Sequence, residues 1–166
     1  MDLATERIRL ERLAEAHRAD MIRFYGDVRV MAIRKYGARD PAAAGRAVDV
    51  ALDHWRDHGF GLYAARDKAS GAFIGECGLR YLDDASAVEV SYGLLPCFRG
   101  SGLATEAAAA CLRHGLGTLG LPRIVAFSRA DNRASHRVLE KIGMRFVGRE
   151  DRDTHGVVRY EIIAGQ

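Results

Sequence analysis

Between Gly59 and Gly120 the hydrophobic pattern changes from the alternation of a strand to the three-to-four spacing of a helix, so no fold of one element type fits the chain. Phe60 to Arg66, Ala72 to Leu82 and Ala87 to Leu95 read as strands, separated by the polar turns Asp67-Lys68-Ala69-Ser70-Gly71 and Asp83-Asp84-Ala85-Ser86. Connections this short join antiparallel neighbours, so the spacing predicts a meander. Gly102 to Leu119 is then Ala-rich and helical. It stops at Gly120-Leu121-Pro122, where Gly accepts the left-handed conformation and Pro forbids continuation.

The flanks extend the same mixture. Arg7 to Arg12 alternates like a strand, and Ala14 to Tyr25 reads as a helix with Ala16, Met21 and Phe24 turned inward. Asp40-Pro41 is a strong helix start, because Asp can accept a first-turn amide and Pro suits the next position; this helix should run to about His58, where Gly59 stops it. Arg123 to Ser128 carries the apolar stretch of an interior strand, Asn132 to Ile142 is a helix closed by Gly143, and Met144 to Arg149 and Val157 to Ile163 are closing strands. The class is α/β, an α+β mixed sheet with helices packed on it. No linker or repeat divides the 166 residues, so 1–166 is read as a single domain.

Composition removes several function classes. Charges interrupt every apolar run long before the ~20 residues of a membrane span, and Met1 to Arg7 lacks the pattern of a secretory leader. The net charge of +3 is spread from Arg7 to Arg159 rather than gathered in a block, which speaks against nucleic acid as a partner. Cys77, Cys97 and Cys111 are odd in number and lack metal-ligand spacing, so neither a disulfide framework nor a metal site is expected, and a reducing cytoplasm fits.

The segment from Leu94 to Glu106 leaves a strand and enters a helix through Gly100-Ser101-Gly102. Glycines there let backbone amides converge, and a helix N-terminus adds partial positive charge, so the turn suits an anion such as pyrophosphate, with Arg99 as a neighbouring cation. The other reading is an ordinary glycine-rich helix start. A phosphate-binding P-loop would need a Gly-Lys pair that this turn lacks. A dinucleotide fingerprint would need Gly or Ala where Thr105 stands and an acidic residue near Leu121-Pro122-Arg123.

Arg99-Gly100-Ser101-Gly102-Leu103-Ala104 resembles the acetyl-CoA signature of the GNAT acetyltransferases. Asn132 to Met144 is similar to the Asn-x-x-Ser...Glu-Lys-x-Gly-Phe stretch of the branch containing the ribosomal-protein N-terminal acetyltransferases RimJ and RimL. Thr5 to Leu10 and Val88 to Tyr92 match that branch's opening and middle strands, so the resemblance covers nearly the whole chain. It implies a mostly antiparallel sheet splayed at its central strands, with acetyl-CoA as co-substrate in the gap. Amides from Arg99 through Gly100, Ser101, Gly102, Leu103 and Ala104 to Thr105 would cradle the pyrophosphate. Leu94 and Leu95 would lend backbone groups to the pantetheine arm, and Pro96, which cannot donate to a ladder, suits the opening. Asn132 and Ser135 join them as cofactor contacts or, on the other reading, as helix cap and first-turn hydroxyl.

Acetyl transfer needs a neutral amine, a donor for the oxyanion and help for the leaving thiolate. Glu89 is the first candidate for general base, through water, because carboxylates on that strand serve so in several GNAT enzymes; the competing reading pairs it with an arginine across the sheet. Glu150 is the second, in the region where the RimL-like branch places its base, and Asp151 and Asp153 could attract a cationic substrate. Many relatives place a tyrosine acid where this chain has Leu139, so the branch resemblance moves that role to Ser135. The resulting reading is an N-acetyltransferase acting on a peptide N-terminus or a small-molecule amine. A non-catalytic acyl-CoA-binding module is the alternative from another class. An RNA-associated protein is a third, for which an aromatic platform and a basic stripe are missing. Dimers are common among relatives, which leaves a homodimer open.

Overall fold

The structure, a computed structural model, describes residues 1–34, 37–150 and 156–165. In chain order its elements are β1 (Leu3–Ala4), β2 (Ile8–Arg12), α1 (Arg18–Gly26), α2 (Val28–Met31), α3 (Pro41–His58), β3 (Leu62–Asp67), β4 (Phe73–Tyr81), β5 (Val88–Leu94), α4 (Leu103–Arg113), β6 (Arg123–Arg129), α5 (Arg133–Lys141), β7 (Arg145–Glu150) and β8 (Val157–Ile163). The strands form one eight-stranded sheet in the order β1-β2-β3-β4-β5-β6-β8-β7. Neighbours run antiparallel except β5 and β6, which run parallel.

Alternation along β4 explains why helices cover both faces. Glu76 accepts a hydrogen bond from Tyr25 of α1 at 2.6 Å, while its neighbour Cys77 points the other way, its Sγ 3.5 Å from Cys111 Sγ of α4. Buried on both sides, β4 has no exposed residue from Ile74 to Leu79. Helix α4 settles close to the sheet because its inner positions are small, with Ala107 and Ala108 fully buried. Helix α3 begins and ends as its sequence predicts: Asp40 Oδ1 accepts the Ala43 N–H at 2.7 Å, and Gly59 closes the helix at φ 73°.

Three details differ from the sequence reading, and a fourth, the order of the closing strands, lies beyond it. Strand β1 and the single turn α2 carry too few residues to show a period, and neither was expected. The first helix opens as a tight turn, Glu15–His17, in which His17 rather than Ala16 is buried. The reason is polar: its ring accepts the Ala14 N–H at 3.0 Å and meets Glu11 at 3.0 Å. The helix from Gly102 keeps its α form only to Arg113 and then widens over His114–Thr118. Gly115 lies there against the sheet, and a Cβ on it would stand 2.6 Å from Leu79 Cδ1. Lastly, β8 inserts between β6 and β7, so the closing strands do not pair in chain order with β6. Among the described residues no helix is long and apolar enough to cross a membrane, and no cluster has the makings of a metal site.

His54 fastens α3 to the sheet. Its Nδ1 lies 2.8 Å from Phe60 O, and its Nε2 is 3.0 Å from the Tyr81 N–H, an arrangement that needs a neutral ring with its hydrogen on Nδ1. Burial lowers its pKa, His58 and Arg80 add to the effect, and the Phe60 carbonyl opposes it. The unfolded chain, with an ordinary value of about 6.5, therefore takes up the proton first. The contribution is full above that value and shrinks as pH falls, with His114, also lowered by burial, acting in the same window. We expect the melting temperature to drop between about pH 7 and about pH 5, and the drop to be smaller in His54→Gln. An equal drop in the variant would show that His54 carries none of it.

Candidate active site

The parallel pair β5 and β6 stays together for two positions only, Val88↔Ile124 and Glu89↔Val125. Past that fork each strand keeps to its other neighbour. β5 follows β4 up to Gly75↔Leu94, and β6 follows β8 up to Arg129↔Val157. The result is a wedge between Val90–Leu94 and Ala126–Arg129 whose facing strand edges share no ladder. Gly75 marks the bend: it sits at φ 146°, and a Cβ there would stand 2.1 Å from Gly93 O, so only glycine lets β5 cross β4 so closely. The Leu95 N–H donates to Ile74 O at 2.8 Å, toward β4, so by alternation the peptide groups of Leu94 face the wedge.

The chain leaves β5 through a short turn, Pro96–Phe98, and reaches α4 through Gly100 and Gly102, both left-handed at φ 85° and 84°. Gly102 caps α4 without a side chain, and the first helical hydrogen bond runs from Glu106 N–H to Gly102 O at 3.0 Å. Among the described residues, no protein acceptor takes the amide hydrogens of Gly100, Ser101, Gly102, Leu103, Ala104 or Thr105. Six amides at a helix N-terminus are thus uncommitted, which suits a diphosphate. The row begins one residue later than expected, because the Arg99 N–H already donates to Pro96 O at 3.2 Å. The Arg99 side chain also turns back from the row: Nε donates to Leu94 O at 3.0 Å and Nη2 to Arg29 O at 3.2 Å.

The cation beside the glycine turn is Arg7, which sequence reasoning treated only as part of a strand. Its Nη1 donates to Ser101 O at 2.9 Å, and its Nη2 is 3.6 Å from where a Cβ on Gly102 would lie. Glu106 holds it there, accepting the Arg7 N–H at 2.8 Å and Nε at 2.7 Å, together with the Thr5 hydroxyl. Burial alone would raise the Glu106 pKa, but the hydrogen bonds from Thr5 and Arg7 outweigh it and hold the carboxyl below its ordinary value. The signal available in sequence was only Thr5-Glu6-Arg7 beside a helix whose first turn carries Glu106; nothing local links them.

On the far side of the wedge, Asn132 caps α5 by accepting the Ser135 N–H at 3.2 Å. Ser135 Oγ lies 2.9 Å from the phenolic oxygen of Tyr92, a residue of β5 that sequence reasoning did not single out. Burial raises the Tyr92 pKa above the usual phenol value, although the bond to Ser135 opposes that shift. Leu139 is buried in the core. Helix α2 and the Ala32 that ends it bridge the two diverging strands: Arg29 O accepts from Arg99, beyond β5, and Ala32 O accepts from Arg129, the last residue of β6, at 3.3 Å.

The acidic candidates are not gathered in one place. Glu89 stands at the fork, nearly buried, and is paired with Arg80 of β4 at 2.5 Å. Glu150 lies on the edge strand β7, beyond β8 and 3.9 Å from Arg159. Asp151 and Asp153 fall outside the described residues. A carboxylate that sequence reasoning missed, Glu76, is fully buried opposite Gly93 and held by Tyr25 and by Arg34 at 2.5 Å. Burial, reinforced by Glu76, raises the Tyr25 pKa well above its ordinary value.

Known proteins resemble this chain in sequence and in overall fold. A family model described as an acetyltransferase (GNAT) domain covers residues 7–145. The chain belongs to the GNAT acetyltransferases. The uncharacterised protein YkkB of Bacillus subtilis is 31% identical over 147 residues, 87% of this chain and 85% of its own. The acetyltransferase from Agrobacterium tumefaciens str. C58 shares the fold with a TM-score of 0.86 and 26% identity, over 98% of this chain and 94% of that one. RimL, a ribosomal L7/L12 alpha-N-protein acetyltransferase solved with coenzyme A, gives a TM-score of 0.83 over 99% and 98% of the two chains. Its 16% identity limits that likeness to the fold.

For this GNAT domain the Arg7 geometry yields a direct test. Arg7→Met removes the cation beside Gly102, and if the uncommitted amides hold a diphosphate, binding of coenzyme A as the probe should weaken about five-fold with a shallower salt dependence, as for loss of one partly exposed charged contact. Unchanged affinity and salt slope by calorimetry would confine Arg7 to bracing β2 against α4.

Proposed function

We propose that the chain is an N-acetyltransferase that moves an acetyl group from acetyl-CoA directly to a primary amine, that of a peptide or protein N-terminus or of a small molecule. One observation carries this reading: the uncommitted amides of Gly100 to Thr105 stand at the wide end of a wedge lined by unpaired strand edges. The amides bind the diphosphate with Arg7 beside them, and the Leu94 N–H, facing the wedge, meets the peptide-like arm. Arg99 and Leu95, expected there from the sequence, are spent inside the protein, Arg99 on Leu94 O and Arg29 O, Leu95 on Ile74 O and the Phe98 N–H. Acetyl-CoA supplies an acyl carbon on a leaving sulfur. Asn132 and Ser135 border the path, and the Ser135 hydroxyl is placed to support that sulfur.

The demand for a base depends on the acceptor. An α-amine with a pKa near ~8 is appreciably neutral at pH 7, whereas a lysine near ~10.4 is almost wholly charged. Glu89, at the fork, takes the amine proton through water, and its ion pair with Arg80 fixes its position. Glu150 is the second candidate. A weak base suffices for an N-terminal amine, which accords with the RimJ/RimL-like motif from Asn132 to Met144. The free thiols Cys77, Cys97 and Cys111 suit a reducing cytoplasm, with residues 1–166 acting as one catalytic unit.

Calorimetry with acetyl-CoA, followed by thiol release across a panel of amines, tests the reading. Binding together with turnover on at least one amine is the expected outcome. Absence of binding at millimolar ligand would overturn it, and tight binding with no turnover on any amine would establish an acyl-CoA-binding module instead. Gly100→Asp places a carboxylate among the amides at a left-handed position. We expect acetyl-CoA affinity to fall by at least about ten-fold, with a loss of roughly 1–2 kcal/mol in folding stability from backbone strain.

A further inference from the structure

Two hydroxyl groups meet across the wedge, and acetyl transfer as described above uses only one of them. Tyr92 lies on β5, on the face that Val90 and Val88 present to α4, and Ser135 lies in the first turn of α5, which follows β6. Their side-chain oxygens are 2.9 Å apart, and Tyr92 Oη is also 3.3 Å from Ser135 O. The bond therefore ties one diverging half of the sheet to the other beside the path of the sulfur. Leu139, one turn further along α5, has no hydrogen to donate.

A serine in the first turn of a helix ordinarily spends its hydroxyl on nearby backbone. Here, among the described residues, it meets no backbone group: the Ser135 N–H donates to the Asn132 side chain, and the hydroxyl oxygen contacts Tyr92. Of the two acceptors within reach of the single Tyr92 hydrogen, Ser135 Oγ at 2.9 Å is nearer than Ser135 O at 3.3 Å, which makes the phenol the donor to the serine hydroxyl. A serine oxygen that accepts from Tyr92 still owns one hydrogen, and the phenol blocks the direction toward β5. Among the described residues no further acceptor meets Ser135 Oγ, so that hydrogen is available to a ligand in the wedge.

We propose, resting on the acetyl-transfer reading, that Tyr92 is a positioning residue: by donating to Ser135 Oγ it directs the Ser135 hydrogen onto the sulfur of coenzyme A. In the transfer a bond forms from the amine nitrogen to the acyl carbon, and the carbon–sulfur bond breaks with its electron pair left on sulfur. The excess amine proton passes through water to Glu89 or to solvent. Ser135 stabilises the thiolate by a hydrogen bond, and Tyr92 keeps its own proton, since a phenol near ~10 is a weaker acid than a thiol near ~8.5.

Ultraviolet titration of the coenzyme A thiolate bound to the parent chain, Tyr92→Phe, Ser135→Ala and the double variant tests this, together with steady-state rates and melting curves. We expect the thiol midpoint to rise in Tyr92→Phe and in Ser135→Ala. In Tyr92→Phe, kcat should fall about ten-fold, the size of one lost hydrogen bond to a developing charge, with KM for acetyl-CoA within about two-fold of the parent. In the Ser135→Ala background, Tyr92→Phe should change neither quantity further. A midpoint unmoved by Tyr92→Phe, or an equal cost of that substitution with Ser135 absent, overturns the positioning role while leaving acetyl transfer intact. If Tyr92→Phe does not fold, an unmoved midpoint in Ser135→Ala overturns it, and a raised one supports it. Failure of the parent chain to bind coenzyme A overturns acetyl transfer itself, and this inference with it.

Discussion

The two-position parallel pairing between β5 and β6 is the constraint on which the rest of the structure depends. A longer ladder would consume the backbone groups of Val90 to Leu94 and leave no opening. A shorter one would divide the sheet into β1 to β5 and β6 to β8, joined only by helices. With the fork fixed at Glu89 and Val125, each half keeps its antiparallel partners and the separation grows along the strands. The turn that follows then delivers the N-terminus of α4 to the wide end. The uncommitted amides and the opening thus have one geometric origin.

An opening in a sheet exposes polar backbone, so it needs braces that do not fill it. Three are visible. Tyr92 and Ser135 tie the halves on the α4 face, and α2 with the Ala32 that ends it accepts hydrogen bonds from Arg99, beyond β5, and from Arg129, the last residue of β6. The third is ionic: Arg34 and Tyr25 hold Glu76 beneath Gly93, where a Cβ would meet Arg34 Nη2 at 2.3 Å. Removing one member of such a buried pair strands a charge and costs about 3–5 kcal/mol, so the cluster resists deformation of the floor of the wedge.

Much of the architecture was legible in sequence because its signals are local. Asp40-Pro41, Gly59, Gly120-Leu121-Pro122 and Gly143 act on the backbone within a turn of themselves, and the alternation from Phe60 to Leu95 needs no partner to be recognised. The glycine turn and Asn132 were legible for the same reason. Short or irregular pieces were not. Strand β1 and helix α2 lack a period, and the widening after Arg113 answers to Leu79 and Ile124, far away in sequence.

The sequence alone thus determined the types of the longer elements, the antiparallel meander and an anion-suited turn, since each follows from neighbours along the chain. Tertiary structure decided which side chains meet. It brought Arg7 to the glycine turn through Glu106, set Tyr92 against Ser135, buried Glu76 under Gly93 and folded Arg99 back onto Leu94. These contacts join residues through strand register and helix placement, and both are fixed only when the whole sheet has formed.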